Sequence, residues 1–300
     1  MERRISFYDQ IAKNKRDSIL LSLAVLSLLI ALIYSISSIL APGLSLGFLI
    51  LGAPIALAYA YFTYNYGDGI VLAATRARRI DESDPKYVHL VNVVEGLSIA
   101  AGIPKPKIYL IESDEMNALA TGKDPAHASI AVTTGLLKNL RRDELEGVIG
   151  HEISHVKNYD IRFATLVAVM VGLVAILSDM FLRSLWYAPR SGRRERRDLG
   201  LLILIGILLA IFAPIAVRLV QAAISRRREF LADASSVELT RYPPGLANAL
   251  EKIMRANRGD MKVSEAVSHL FFVDPRRSPL DGLYATHPDI RERIRILRSM

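Results

Sequence analysis

No cysteine occurs among the 300 residues, there is a single tryptophan, and aromatic residues make up only 7% of the chain. The missing cysteines exclude a disulfide scaffold, a thiolate metal site and a cysteine nucleophile, so metal chemistry here must use His, Asp and Glu. Charge is also missing over a long stretch: no Asp, Glu, Lys, Arg or His stands between Asp17 and Asp68. What is present is apolar, with 51% hydrophobic residues and a mean hydropathy of +0.27, which excludes intrinsic disorder and points to a membrane protein with a polar working part. The net charge of +8 suits either an anionic membrane surface or nucleic acid. Arginines such as Arg162, Arg183 and Arg218 sit at the ends of apolar segments, and no nucleic-acid fold motif accompanies them, so membrane lipid is the expected partner and nucleic acid is not.

Ile19 to Leu40 is long enough to cross roughly 30 Å of hydrocarbon as a helix. Ala41-Pro42-Gly43 breaks it, and Leu44 to Tyr64 forms a second apolar run ending in Tyr59, Tyr61, Phe62, Tyr64 and Tyr66, the aromatics expected at headgroup depth. Basic residues flank this hairpin on both ends and are missing from its turn, which places both ends in the cytoplasm. Phe163 to Ser178 and Leu199 to Val217 make a second, weaker apolar pair, joined by an arginine-rich connection. That pair reads either as two further spans or as a hairpin that dips into the bilayer or packs on the protein without crossing. Between the pairs, the pattern predicts a helix over Tyr87 to Ala101, strands over Lys107 to Ile111 and Ser129 to Thr133, an edge strand over Asn117 to Thr121, and a helix opened by Asp143 as N-cap. After Ser225 helices are expected, broken at Pro243-Pro244, with a last one from Pro288.

His151-Glu152-Ile153-Ser154-His155 fits His-Glu-x-x-His. Four residues make about one helical turn, so both imidazoles leave the same face and can reach one ion, while Glu152 projects to the side, toward a water on that ion. Leu145, Val148, Ile149, Glu152 and Val156 form the inward stripe, and Asp143, Glu146, Lys157, Gly147, Gly150 and Ser154 fall opposite. A catalytic zinc site needs one more protein ligand. Glu229, His287, His269, His127 and Asp160 are candidates that spacing cannot separate. An antiparallel second apolar pair starts just after His155 and returns just before Glu229, which favours Glu229, with Asp233 one helical turn on, placed to hydrogen-bond a ligand imidazole.

Several ordered stretches carry a resemblance: Met116 to Gly122, Val132 to Leu137, Asp143 to Asn158, Ser225 to Asp233, and Ala285-Thr286-His287-Pro288. Together they resemble the HtpX-type membrane zinc endopeptidases, relatives of the CAAX prenyl proteases, over nearly the whole chain. The resemblance implies a mainly α membrane protein with a small β-sheet and a zincin-like catalytic domain, anchored by two to four transmembrane helices. It implies one Zn²⁺ per chain held by His151, His155 and Glu229, Glu152 as general base and Asp233 behind a ligand. His287 and Arg293 are expected at the oxyanion, and Asn117, Ala118, Leu119 and Ala120 as an edge strand pairing with extended substrate.

The expected organisation is a basic cytoplasmic N-terminus (1–17), a transmembrane hairpin (18–66), a first catalytic part with the metal-binding helix (67–161), a second apolar hairpin (162–221), and a second catalytic part (222–300). The resemblance implies a multi-pass protein of the plasma membrane whose site faces the cytoplasm and hydrolyses misfolded or damaged membrane proteins. The rivals are a prenyl-protein-type protease and a non-catalytic membrane adaptor with a structural zinc. An intact Glu152 speaks against the adaptor, because a structural site has no use for a base beside an open coordination position.

Overall fold

A computed structural model describes residues 45–169, 228–275 and 287–300, with isolated positions at 16, 19, 20, 23, 26, 27, 30, 34, 179, 183 and 207. The expected first span, the Ala41-Pro42-Gly43 break, the arginine-rich connection and the Ala285-Thr286 part of the last motif lie outside the described residues.

The described residues are mainly helical around one small mixed sheet. Helix α1 (Ser45–Ala74) is followed by β1 (Arg78–Arg79), α2 (Val88–Ala101), β2 (Lys107–Ile111), β3 (Ala118–Gly122), β4 (Ala128–Thr133), α3 (Thr134–Asn139) and α4 (Arg142–Lys157). Beyond lie α5 (Pro243–Ala256), the single turn α6 (Glu265–Ser268) and α7 (Ile290–Leu297); segments 160–169 and 228–240 are also helical. The strands lie in the order β1-β2-β4-β3, with β2 and β4 parallel and the outer pairs antiparallel.

The expected strands and α2 fall within a residue of their predicted places, and β3 does lie at the sheet edge. Two expectations are corrected. The helix predicted to end near Tyr64 runs on to Ala74 without a break at residue 66, because Val71 and Leu72 bury their side chains in a cluster with Ile111, Leu119 and Phe271. Asp143 is not the cap of α4: the helix starts at Arg142, and the Glu144 carboxylate reaches back to accept from the Arg141 backbone N–H at 2.7 Å. The break expected at Pro243-Pro244 is present: segment 228–240 ends just before the pair, and the two prolines open α5, where the missing N–H groups cost nothing.

Helix α4 is the centre of the molecule. Leu145, Val148, Ile149, Ile153 and Val156 pack in the main core with Leu90, Ile108, Ile130, Leu246 and Leu250. The face expected to look outward is buried too. A Cβ on Gly147 would stand 2.6 Å from the Leu246 backbone nitrogen, and one on Gly150 2.8 Å from Ser236 Oγ, which itself donates to the Gly147 carbonyl at 2.7 Å. The small residues therefore let α5 and segment 228–240 approach the α4 backbone, and segment 228–240 is the element that brings Glu229 and Asp233 to the histidines. On the other flank, segment 160–169 is fastened to β3: Thr165 Oγ1 lies 2.8 Å from Thr121 Oγ1 and accepts from the Gly122 N–H at 3.2 Å.

Among the described residues, no helix is long and apolar enough to cross a membrane. The described side chains of α1 nevertheless include several exposed apolar ones, Ile50, Leu51, Ile55, Leu57, Tyr61 and Phe62.

Candidate metal centre

His151 and His155 lie one turn apart on α4, their Nε2 atoms 3.1 Å from each other. Glu229 faces them, with Oε2 3.4 Å from His151 Nε2 and Oε1 3.4 Å from His155 Nε2. Behind each ring stands a carboxylate. Asp233 Oδ1 is 2.9 Å from His151 Nδ1, and Asp160 Oδ2 is 3.1 Å from His155 Nδ1. Ionised carboxylates only accept, so both Nδ1 atoms carry the ring hydrogen and both Nε2 atoms of the neutral rings present lone pairs.

That arrangement tests whether a metal fits. With both rings neutral, two nitrogen lone pairs and a carboxylate converge on one point, and Glu229 Oε2 is buried without a hydrogen-bond partner. Such a cluster is unfavourable unless positive charge, a proton or a metal cation, sits among the three groups. Titration behaviour points the same way. Burial opposes the charge on His155, yet the Asp160 and Glu229 carboxylates outweigh it and raise its pKa well above the usual imidazole value. Burial likewise opposes ionised Glu229, but His287, His151 and His155 hold its pKa well below the usual carboxylate range. The site therefore draws in positive charge. Among the described residues, His151, His155 and Glu229 are the one group of this kind able to hold a metal ion.

Glu152 is buried beside this cluster and lines the same cleft. Burial pushes its carboxyl pKa up, the two imidazoles pull it down, and the Glu229 carboxylate raises it again, with a net increase. His287 lines the cleft as well. Its Nδ1 lies 3.2 Å from Glu229 Oε2 without hydrogen-bonding geometry, and both its ring nitrogens are buried without a partner.

Other expected site residues stand elsewhere. Arg293 is 2% exposed: its Nε and Nη2 donate to the two Asp233 oxygens at 2.8 and 2.7 Å, and Nη1 donates to the Phe272 carbonyl at 3.3 Å and lies 3.6 Å from Glu229 Oε2. A guanidinium held in this way braces Asp233. Asn117 is used internally too, its amide donating to the Val273 carbonyl at 2.8 Å and accepting from the Val273 N–H at 3.1 Å. It straps residues 271–273 onto β3, where the Phe272 N–H donates to the Ala118 carbonyl at 2.8 Å and Leu119 bridges Phe271. Pairing with β4 uses the backbone of Asn117 and, by alternation, residues 119 and 121, so 118, 120 and 122 turn outward. With 118 and 122 occupied, Ala120 is the strand position that lines the cleft.

His269, another candidate for the third ligand, lines the cleft outside the metal-binding group, its Nε2 donating to the Ala164 carbonyl at 3.2 Å and burial lowering its pKa to about 4. Asp160 was a candidate ligand. It approaches His155 from the Nδ1 side, opposite the converging Nε2 atoms, and spacing from the motif cannot distinguish the two sides.

A His-Glu-x-x-His helix completed by a carboxylate from a second helix, with a buried glutamate beside it, defines a metal-dependent hydrolase of the zincin class. The comparisons with known proteins agree. The model of Peptidase family M48 matches residues 86–300. The chain is 44% identical over 296 residues to a protease HtpX homolog of Dictyoglomus turgidum, covering 98% of this chain and 95% of the relative. It is 43% identical over 300 residues to that of Thermoanaerobacter pseudethanolicus, covering 99% of each. The crystal structure of S. mikatae Ste24p shares its fold, with a TM-score of 0.51 at 20% identity over 97% of this chain and 67% of that one. The chain belongs to Peptidase family M48 and is a metalloprotease.

Proposed function

We propose that the chain is a membrane-anchored zinc endopeptidase that cleaves misfolded or damaged membrane proteins, with one Zn²⁺ bound by His151, His155 and Glu229. The observation that carries the reading is the convergence of two imidazole lone pairs and a buried carboxylate on one point, beside a second buried carboxylate. The nitrogen and oxygen donor set suits zinc. When bound there, the ion supplies Lewis-acid polarisation of a peptide carbonyl and of a nucleophilic water. Glu152, its pKa raised by burial, takes a proton from the attacking water and returns it to the leaving amine nitrogen, a role that needs a group able to exist in both forms. His287, with unsatisfied ring nitrogens in the cleft, donates to the oxygen on which negative charge develops. Ala120, the β3 position that lines the cleft, offers its outward carbonyl to an extended substrate.

The membrane part of the reading rests on the uncharged stretch between Asp17 and Asp68, on the exposed apolar side chains of α1 and on the HtpX homologs. It makes membrane lipid a partner and puts the protein in the plasma membrane as a multi-pass chain. Segments 67–161 and 222–300 then form the catalytic part on the cytoplasmic side, where basic flanks belong.

The test is Glu152→Gln in purified full-length protein supplied with zinc and an unfolded protein substrate. Loss of cleavage with zinc retained is expected. Cleavage at the native rate contradicts the mechanism, and native protein that cleaves nothing while binding zinc favours the adaptor reading.

A further inference from the structure

We propose that Asp160, braced by Arg228, is a positioning residue for the metal site, serving His155 as Asp233 and Arg293 serve His151. The inference rests on the metal reading above and adds a residue pair to it. Each ligand imidazole presents Nδ1 to its own buried carboxylate, at 2.9 Å for His151 with Asp233 and 3.1 Å for His155 with Asp160. Each carboxylate is in turn met by an arginine. Arg293 lies 2.7 Å from Asp233, and Arg228 Nε lies 3.6 Å from the second oxygen of Asp160. Both arginines lie over a phenylalanine ring, Arg293 4.8 Å from the Phe272 centroid and Arg228 4.5 Å from that of Phe163. The two arms are therefore built alike, although their residues come from unrelated stretches of chain.

The backbone shows the same purpose. Helix α4 ends at Lys157, and Tyr159 adopts φ 60° before segment 160–169 begins. A tyrosine in the left-handed region is strained and persists where surrounding contacts enforce it. This turn carries Asp160 back onto the ring of His155, five residues earlier. A carboxylate accepting from Nδ1 fixes the ring orientation and its tautomer and raises the basicity of Nε2, the metal-facing nitrogen. Without it, the ring of His155, whose side chain is 16% exposed against 1% for His151, is free to turn its nitrogens away. Asp160 and Arg228 also bracket the stretch 170–227 in sequence, and Arg228 immediately precedes the ligand Glu229. One ion pair thus joins the element after the histidine helix to the element that supplies the third ligand.

Zinc affinity of the full-length protein, measured by competition with a chelator, tests this together with thermal unfolding of the metal-free form. Asp160→Ala is expected to weaken zinc binding 10- to 100-fold. Asp160→Asn, which keeps an acceptor oxygen of the same size, is expected to lose less, and Arg228→Gln less than Asp160→Ala. If Asp160→Ala does not fold, the near-isosteric Asp160→Asn carries the test, because it too must bind zinc more weakly than the native chain. Zinc affinity unchanged in the Asp160 variants overturns the proposal, including when their unfolding temperature falls, since that marks a role in packing alone. Native protein that binds no zinc defeats the metal reading instead.

Discussion

Arg293 grips both oxygens of Asp233, and Asp233 accepts from His151, so a fully buried guanidinium acts on the imidazole of a candidate metal ligand through an intervening carboxylate. The desolvation of Arg293 is opposed by Asp233 and Glu229, which keep it charged. Removing one partner of a buried ion pair leaves the other uncompensated, at about 3–5 kcal/mol. Arg293→Met should lower stability by that order, measured by thermal unfolding of the detergent-solubilised protein. A variant as stable as the native chain would show that the pair is not buried as described.

The same pair sets an acid limit. Burial opposes the Asp233 charge, but Arg293 and His151 overcome it and bring its pKa down to about 2. An unfolded aspartate titrates near about 3.9. The folded value is the lower one, so the stability contributed by Asp233 is fully present above about pH 4 and is lost as the pH falls toward about 2. The expected contribution is about 2–3 kcal/mol. Metal-free native protein and Asp233→Asn should therefore differ in stability near neutrality and converge in acid. A gap that persists unchanged below about pH 2 would contradict the assignment.

Two glycine substitutions should have opposite signs. Gly147→Ala forces a methyl to within 2.6–2.7 Å of the Leu246 backbone, which backbone atoms can relieve only by separating α4 from α5, at about 1–3 kcal/mol or more. Gly96 lies inside α2 with nothing within 4 Å of its Cβ position, so Gly96→Ala should stabilise by about 0.5–1 kcal/mol. Unfolding of the two single variants checks both, and a Gly147→Ala protein as stable as Gly96→Ala would refute the close packing of the helices.

Much of this architecture is written in local sequence pattern. Alternation placed β2 and β4, and the four-residue spacing of His151 and His155 put two imidazoles on one face. The sequence could not show what depends on a distant neighbour. A helical wheel cannot tell a small residue facing water from one facing another backbone, so Gly147, Gly150 and Ser154 looked external although all three are buried. Arg293 sits in α7 one turn before Leu297, and both are buried, but only the resemblance singles it out from Arg291, Arg295 and Arg298, because its partner Asp233 lies 60 residues away. Asp160 is close to His155 in sequence, yet only the fold reveals which ring nitrogen it meets. Asn117 belongs to a recognisable motif, but its partner Val273 lies far along the chain.

The central claim is that His151, His155 and Glu229 share one ion. Zinc X-ray absorption on full-length protein, with metal stoichiometry measured on the same sample and on Glu229→Gln, tests it most directly. The account predicts one zinc per native chain, with two imidazole nitrogens at about 2.0–2.1 Å and carboxylate oxygen at about 2.0–2.2 Å, and weakened binding with the carboxylate contribution lost in the variant. Active native protein with no bound metal, or an identical spectrum and affinity in Glu229→Gln, would contradict it.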